Sequence, residues 1–256
     1  MANHLTKIWD ADPDAAPKER STYADDVVGR FRSGRLVKMG GKDVPESLNE
    51  WRVTTGDPVV ADRIAELMGG ASEEWETDKE DNLQILTDAS TVTIIIEPDG
   101  VDASFKQFVP GAGMTHHCDG FEYLSPDEDK GRPCGCPSLV AERKLAADKM
   151  RGPKPSVDVK FRVADAPELG IFRFNSGSWK LVEALAPLFR SLDEYGNASD
   201  GDVKGTPVRA TLTIENVTFT PQKGPRAGQE VSYNKPVIKV LGAAEIAEPA
   251  DLAKAA

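Results

Sequence analysis

The chain has 256 residues, a net charge of -11 and a hydrophobic content of 39 %, which suits one large domain or two small ones built on a real core. No apolar run approaches the roughly 18 residues of a membrane span, and Met1 to Asp14 lacks the apolar centre of a signal peptide, so the expectation is a cytoplasmic protein with reduced cysteines. The acidic balance weighs against general DNA binding, because phosphates repel such a surface unless its cations gather on one face, and it leaves a basic protein partner open.

Residues 1–22 read as an extended N-terminal arm, in which the apolar pair Ile8 and Trp9 should pack against something. Residues 23–56 mix short strand runs with turns at Gly34 and Gly40-Gly41. Arg30, Arg32, Arg35, Lys38 and Lys42 form a basic group there, either a solvated loop or a binding surface. A helix is predicted from Pro58 to Met68, with Asp57 as N-cap and Pro58 in the first position. Val60, Ile64, Leu67 and Met68 share one face of it, and Gly69-Gly70 ends it. Residues 71–82 are acidic around Trp75, which is either a core residue or an anchor for a partner. Leu83–Leu86 and Thr91–Glu97 read as strands. The second is β-branched throughout and should be central, paired to Phe105–Val109 across the turn at Pro98-Asp99-Gly100.

His116-His117-Cys118-Asp119-Gly120 and Pro133-Cys134-Gly135-Cys136-Pro137 hold all 3 cysteines of the chain and two of its 3 histidines. Imidazole and thiolates are the ligands of a tetrahedral zinc site. The intervening chain carries Gly120, Pro126, Gly131 and Pro133, so it can fold back and join the two pairs. Alternate side chains of an extended segment share a face, which favours His116 over His117 beside Cys118, Cys134 and Cys136. Three thiolates and one imidazole leave no position for a catalytic water, so the zinc would be structural. A disulfide would leave one cysteine unpaired. The other reading is a polar loop with clustered reduced thiols, since the pairs are tighter than the common ribbon spacing.

Ser138–Arg151 is predicted as a helix capped by Ser138. From Arg143 to Arg162 the chain carries seven cations against Asp148 and Asp158, so this is the first place to look for a charged contact. Trp75, Arg143, Lys144, Lys149 and Arg151 are the candidate partner-binding residues. Val157–Val163 and Gly170–Phe174 alternate and should form a hairpin. Ser178 should cap a helix running from Trp179 to Leu192, bent or split by Pro187. After a loop at Gly196–Gly205, Val208–Phe219 should be the longest strand, with a bulge near Glu215-Asn216. Tyr233–Leu241 closes the sheet, and residues 243–256 form a flexible tail. The expected class is α+β: mixed, mainly antiparallel sheets with a few helices and a small zinc knuckle at 116–136. An N-terminal α+β region would cover 23–150, and a C-terminal β-rich region with one helix would cover 151–242.

Phosphate loops, dinucleotide turns and nucleophile elbows are missing, which favours a binding protein over an enzyme. The runs Val28-Gly29-Arg30-Phe31-Arg32-Ser33-Gly34, Glu50-Trp51-Arg52-Val53-Thr54-Thr55-Gly56-Asp57-Pro58 and Glu74-Trp75-Glu76-Thr77-Asp78-Lys79-Glu80-Asp81-Asn82, with Cys118-Asp119-Gly120 and Cys134-Gly135-Cys136, resemble the recombination directionality factors of large serine integrases of actinobacterial phages. The similarity runs from about Ile8 to Leu241. It implies a non-catalytic protein in the cytoplasm of the bacterial host, bound to a phage-encoded integrase on attachment-site DNA. Its target would be the coiled-coil and zinc-containing region of integrase. Excision (attL x attR) would be activated and integration (attP x attB) inhibited, with little direct DNA binding. Two other readings stand beside it. A phage replication-associated, single-stranded nucleic-acid-binding protein would use Phe172, Phe174, Trp179 and Tyr233 for stacking and the basic 143–162 segment for phosphate. A metalloenzyme would need an open zinc position.

Overall fold

Alternating apolar residues place one face of each strand on the core, and the computed structural model shows how those faces meet; it describes residues 21–23, 25–196 and 206–244. β1 (Gly29–Met39) and β2 (Lys42–Thr55) make a long antiparallel hairpin. Its two-residue turn is Gly40-Gly41, with φ of 58° and 79°, the left-handed geometry such turns require. Gly34 is not a turn as expected. It lies inside β1 at a register shift, where a Cβ would come within 2.8 Å of the Glu46 carbonyl oxygen.

α1 (Pro58–Met68) follows, with the Val59 N–H donating to Asp57 Oδ1 at 2.8 Å. It buries Val60, Ala61, Ile64 and Met68. Next come β3 (Ser72–Glu74), β4 (Leu83–Leu86), β5 (Thr91–Ile96), β6 (Val101–Val109), β7 (Gly113–Cys118) and β8 (Tyr123–Ser125). α2 (Val140–Asp148) is shorter than the predicted Ser138–Arg151, and Leu139 rather than Ser138 occupies its N-cap. The left-handed backbone at Met150 stops it. β9 (Lys154–Val163) and β10 (Phe172–Ser176) form the expected hairpin through a 3-10 turn at Pro167–Leu169. α3 (Trp179–Gly196) has its Leu181 N–H capped by Ser178 Oγ at 3.3 Å. It runs as one helix through Pro187, so of the expected bend or split the split does not occur. The buried stripe Leu181, Leu185, Leu188 and Leu192 offsets the one lost backbone bond. β11 (Val208–Phe219) and β12 (Val231–Ala243) end the described chain.

The strands join in the order β12-β11-β5-β9-β10-β1-β2-β4-β3, with β6 on β9, β7 on β6 and β8 on β7. Every pairing is antiparallel except β1 with β10. The class is therefore α+β with a mixed, mainly antiparallel sheet. β5 is internal, as expected, but its predicted hairpin with Phe105–Val109 is not formed. β9 pairs with β5 at Arg162-Val163 and with β6 from Lys154 to Val159. β5 and β6 thus lie one after the other along the same edge of β9, whose inward residues Val157, Val159, Phe161 and Val163 are all buried.

β2, with 14 residues, is longer than β11, with 12. The register shift in β11 falls at Arg209/Ala210 and not near Glu215. Beyond Ile214 the β11–β12 ribbon leaves the core, so the changed parity at Val217 has no buried face to answer to. Strands from both expected regions interleave: β9 and β10 stand between β5 and β1, and β11 pairs with β5. Asn234 Nδ2 donates to the Leu48 carbonyl at 2.8 Å, so the sheet curls enough to bring β12 beside β2. The core centres on Phe31, whose ring meets Trp51, Phe161 and Phe172 edge-on at 5.8, 5.3 and 5.5 Å, a favoured aromatic geometry. Among the described residues no helix is long and apolar enough to cross a membrane. Ile8, Trp9, the loop at 197–205 and residues 245–256 lie outside the described residues.

Candidate metal centre

β7 carries His116, His117 and Cys118 in extended chain, so His116 and Cys118 share a face and His117 takes the other. His117 Nδ1 is 2.9 Å from Ser125 Oγ, and its buried Nε2 has no partner. Beyond Cys118 the chain must reverse. The Asp119 carboxylate accepts the N–H of Phe121 at 2.7 Å and of Glu122 at 2.8 Å, a local turn that short acidic side chains favour. Those bonds, Glu122's first, hold its carboxyl below the usual value. The Cys134 N–H then donates to the Phe121 carbonyl at 2.8 Å, which brings the second pair back over the first.

The result is one group of ligand atoms. His116, Cys118, Cys134 and Cys136 place them all within 4.8 Å of one another. Cys118 Sγ lies 3.9 Å from Cys136 Sγ, which lies 3.5 Å from His116 Nε2. A tetrahedral zinc with ordinary bond lengths has S–S and S–N edges of about 3.8 and about 3.6 Å. Cys118 and Cys134 are buried, and all 3 cysteines are free thiols. Burial, with the neighbouring cysteines, pushes the Cys118 thiol up to about 12. Burial and Cys134 push the Cys136 thiol up as well. Burial, with His117 beside it, lowers His116 and so favours its neutral form. Neutral nitrogen and clustered sulfur in a low-dielectric pocket are a poor anion cluster by themselves and a good donor set for a soft dication. The four residues could hold a metal ion, and the set is compatible with structural zinc.

α2 clamps this knuckle. Arg143 is buried; it donates from Nη2 to the Gly120 carbonyl at 2.6 Å, and its guanidinium lies 5.3 Å from the Phe105 ring centre. Gly120, with φ of 108°, leaves no room for a Cβ, which would come within 2.8 Å of Arg143 Nη1. Lys144 Nζ reaches Glu183 Oε1 at 2.6 Å and ties α2 to α3. Of the candidate contact residues on this segment, only Lys149 and Arg151 are exposed. Trp75 lies apart from them, half-buried, with its indole N–H on the Asp81 carbonyl at 2.7 Å and Arg52 over its ring at 4.4 Å. The basic group lies on the β1–β2 hairpin: Arg30, Arg32 and Arg35 pair with Asp25, Asp81 and Glu46, while Lys38 and Lys42 are exposed. Sequence reasoning missed the clamp by Arg143. Arg143 stands between Glu142 and Lys144 on α2, and its contact with Gly120, 23 positions earlier, leaves no linear signal.

Fold and site together define an α+β protein with a four-residue His/Cys group, able to hold a metal ion, on a hairpin beside its sheet. Residues 28–240 match the Gp3-like family, described as recombination directionality factor-like, and the chain belongs to that family. The resemblance carried by the Val28–Gly34, Glu50–Pro58 and Glu74–Asn82 runs is borne out by that match. No solved structure matches the chain.

Proposed function

We propose that this protein is a non-catalytic directionality factor that binds a phage-encoded large serine integrase in the host cytoplasm and turns it from integration to excision. The observation that carries this reading is the family match over residues 28–240, which takes in the sheet and the knuckle alike. The binding target is the coiled-coil and zinc-containing region of integrase on attachment-site DNA. A net charge of -11 favours encounter with a basic recombinase. Reversing an equilibrium from 1:99 to 99:1 takes a differential affinity of about 10⁴-fold and no chemistry. Zinc, when held by His116, Cys118, Cys134 and Cys136, would supply a cross-link between β7 and the returning 134–136 segment. With four protein ligands the coordination sphere is closed to substrate.

The nucleic-acid reading draws less support. Phe172 and Phe174 are fully buried, and Trp179 rests 5.7 Å from the Phe105 ring centre, so these rings are poor stacking platforms. The test is recombination of hybrid-site DNA by the cognate integrase with and without the factor. Excision in its presence alone, with integration suppressed, is the expected result. Equal affinity of the factor for integrase on integration sites and on hybrid sites would overturn the mechanism.

A further inference from the structure

Hairpin tips that serve only to reverse the chain are ordinarily polar, yet the end of β6–β7 is apolar. Phe108 is 63 % exposed and Met114 45 %, and the two are directly opposed in register. β6 runs on past its last partner on β9, since Lys106 pairs with Lys154 and the strand continues to Val109. Beside that free stretch lies a groove of about 500 Å³, lined in part by Phe108, Val109, Pro155 and Met150. Gln107 Nε2 donates to the Met150 carbonyl at 3.0 Å and holds the two walls together.

Met150 is the second observation. Its φ is 56°, and it is the one non-glycine residue with positive φ among the described residues. A Cβ makes that conformation costly, and glycine is the usual choice where a helix stops this way. Here a long apolar side chain is held there while 70 % exposed. A stop signal does not need methionine. Strain kept at a position whose side chain points to solvent marks a site.

The rim decides the occupant. Lys149, Arg151 and Lys154 are exposed and make no ion pair with the described residues. Lys106 shares Asp158 at 3.9 Å, and Asp148 is the exposed acid close by in sequence. The groove is thus locally basic on a chain of net charge -11. An apolar floor with a cationic rim suits a polypeptide that offers apolar anchors flanked by carboxylates. Phe108 is the one aromatic ring there, too little for a run of stacked bases.

We infer that this groove, lined by Phe108, Val109, Met150 and Lys154, with Met114 opposite Phe108 in register and Lys149 and Arg151 flanking Met150 in the chain, seats an acidic, apolar-anchored segment of the integrase. The inference rests on the role proposed above.

Three variants test it: Met150→Gly, Phe108→Glu and the triple K149E/R151E/K154E. Each is measured for binding to the integrase–attL and integrase–attR complexes, zinc content, melting temperature and mass in solution. Met150→Gly relieves the backbone and is expected to melt at the same or a higher temperature while binding at least ten-fold more weakly. The other two are expected to lose at least ten-fold in affinity with zinc content unchanged. Variants that bind like the wild type, when the wild type drives excision, overturn the groove and leave the function standing. A wild type that neither binds integrase nor drives excision overturns both. Loss confined to the triple variant and matched by loss of binding to bare DNA makes the occupant a nucleic acid. A wild-type dimer split by Phe108→Glu makes it a second copy of this chain. Either outcome overturns the assignment to integrase.

Discussion

At the residue scale, the metal group was legible because its signal is local. Two short pairs with a reversible linker, and the parity of an extended strand, select His116 beside the three cysteines. Replacing Cys118 by Ser leaves three donors and one buried hydroxyl. The expected result is loss of stoichiometric zinc through gel filtration and destabilisation of about 3–5 kcal/mol, read from zinc content and from urea unfolding. An equally stable, metal-free variant would remove the structural role. Asp25 gave no such signal, because its partners arrive from two distant strands. It bridges Arg30 of β1 and Arg173 of β10, the latter at 2.8 Å. Burial raises its carboxyl, and the two guanidinium groups outweigh that and bring it below the ordinary 3.8. A depressed native value means the stabilisation is complete above about pH 3.8 and is lost as pH falls through the native value. Asp25→Asn should therefore cost about 2 kcal/mol at pH 7 and progressively less as pH falls below 3.8 through the native value. A difference from the wild type that persists at acid pH would assign the loss to packing instead.

At the scale of elements, α2 is held to the knuckle by one side chain. Arg143 was grouped with Lys144, Lys149 and Arg151 as a contact residue on charge alone, but the fold turns it inward to the Gly120 carbonyl and the Phe105 ring. A linear count of charges does not say which side chain bends under the helix. Arg143→Ala leaves that carbonyl unpaired and opens a void, for an expected loss of about 2–3 kcal/mol. It should also speed zinc transfer to a chelator several-fold, whereas Lys149→Ala should change neither. Unaltered transfer kinetics in Arg143→Ala would separate α2 from the knuckle. α1 was fully legible for the opposite reason. Its cap, first proline, apolar stripe and terminal glycines all act within a few residues. The β5–β6 pairing was misread because proximity in sequence and a good turn describe a hairpin that β9 pre-empts. Which strands lie beside β5 depends on chain that comes much later, since Ile94 pairs with Val163 and Ile96 with Val208, and no local pattern carries it.

At the scale of the molecule, the regions 23–150 and 151–242 were set apart as an α+β region and a β-rich region, and strands of both pair in one sheet. Phe31 and Trp51 lie before the boundary, and Phe161, Phe172 and Phe174 after it, all buried in one aromatic cluster. β10 supplies the parallel neighbour of β1, and β9 supplies the edge along which β5 and β6 align. A fragment ending at residue 150 would expose the inner faces of β1, β5 and β6 to water. One starting at 151 would keep the β9–β10 and β11–β12 ribbons without β5, the strand that joins β11 to β9, and with α3 touching both. Two-stranded ribbons are marginal alone. Neither fragment is therefore expected to give a cooperative thermal transition, while the intact chain should unfold in one step whose midpoint is the same by far-ultraviolet dichroism and by tryptophan fluorescence. Mixing the two fragments should restore part of the native signal, because each carries the missing neighbours of the other. A cooperative melt of the first fragment on its own would show that the sheet, continuous as it is, contains two separable folding units. The knuckle would then belong to the first of them, whereas the groove, whose lining includes Lys154 and Pro155, would be divided between the two.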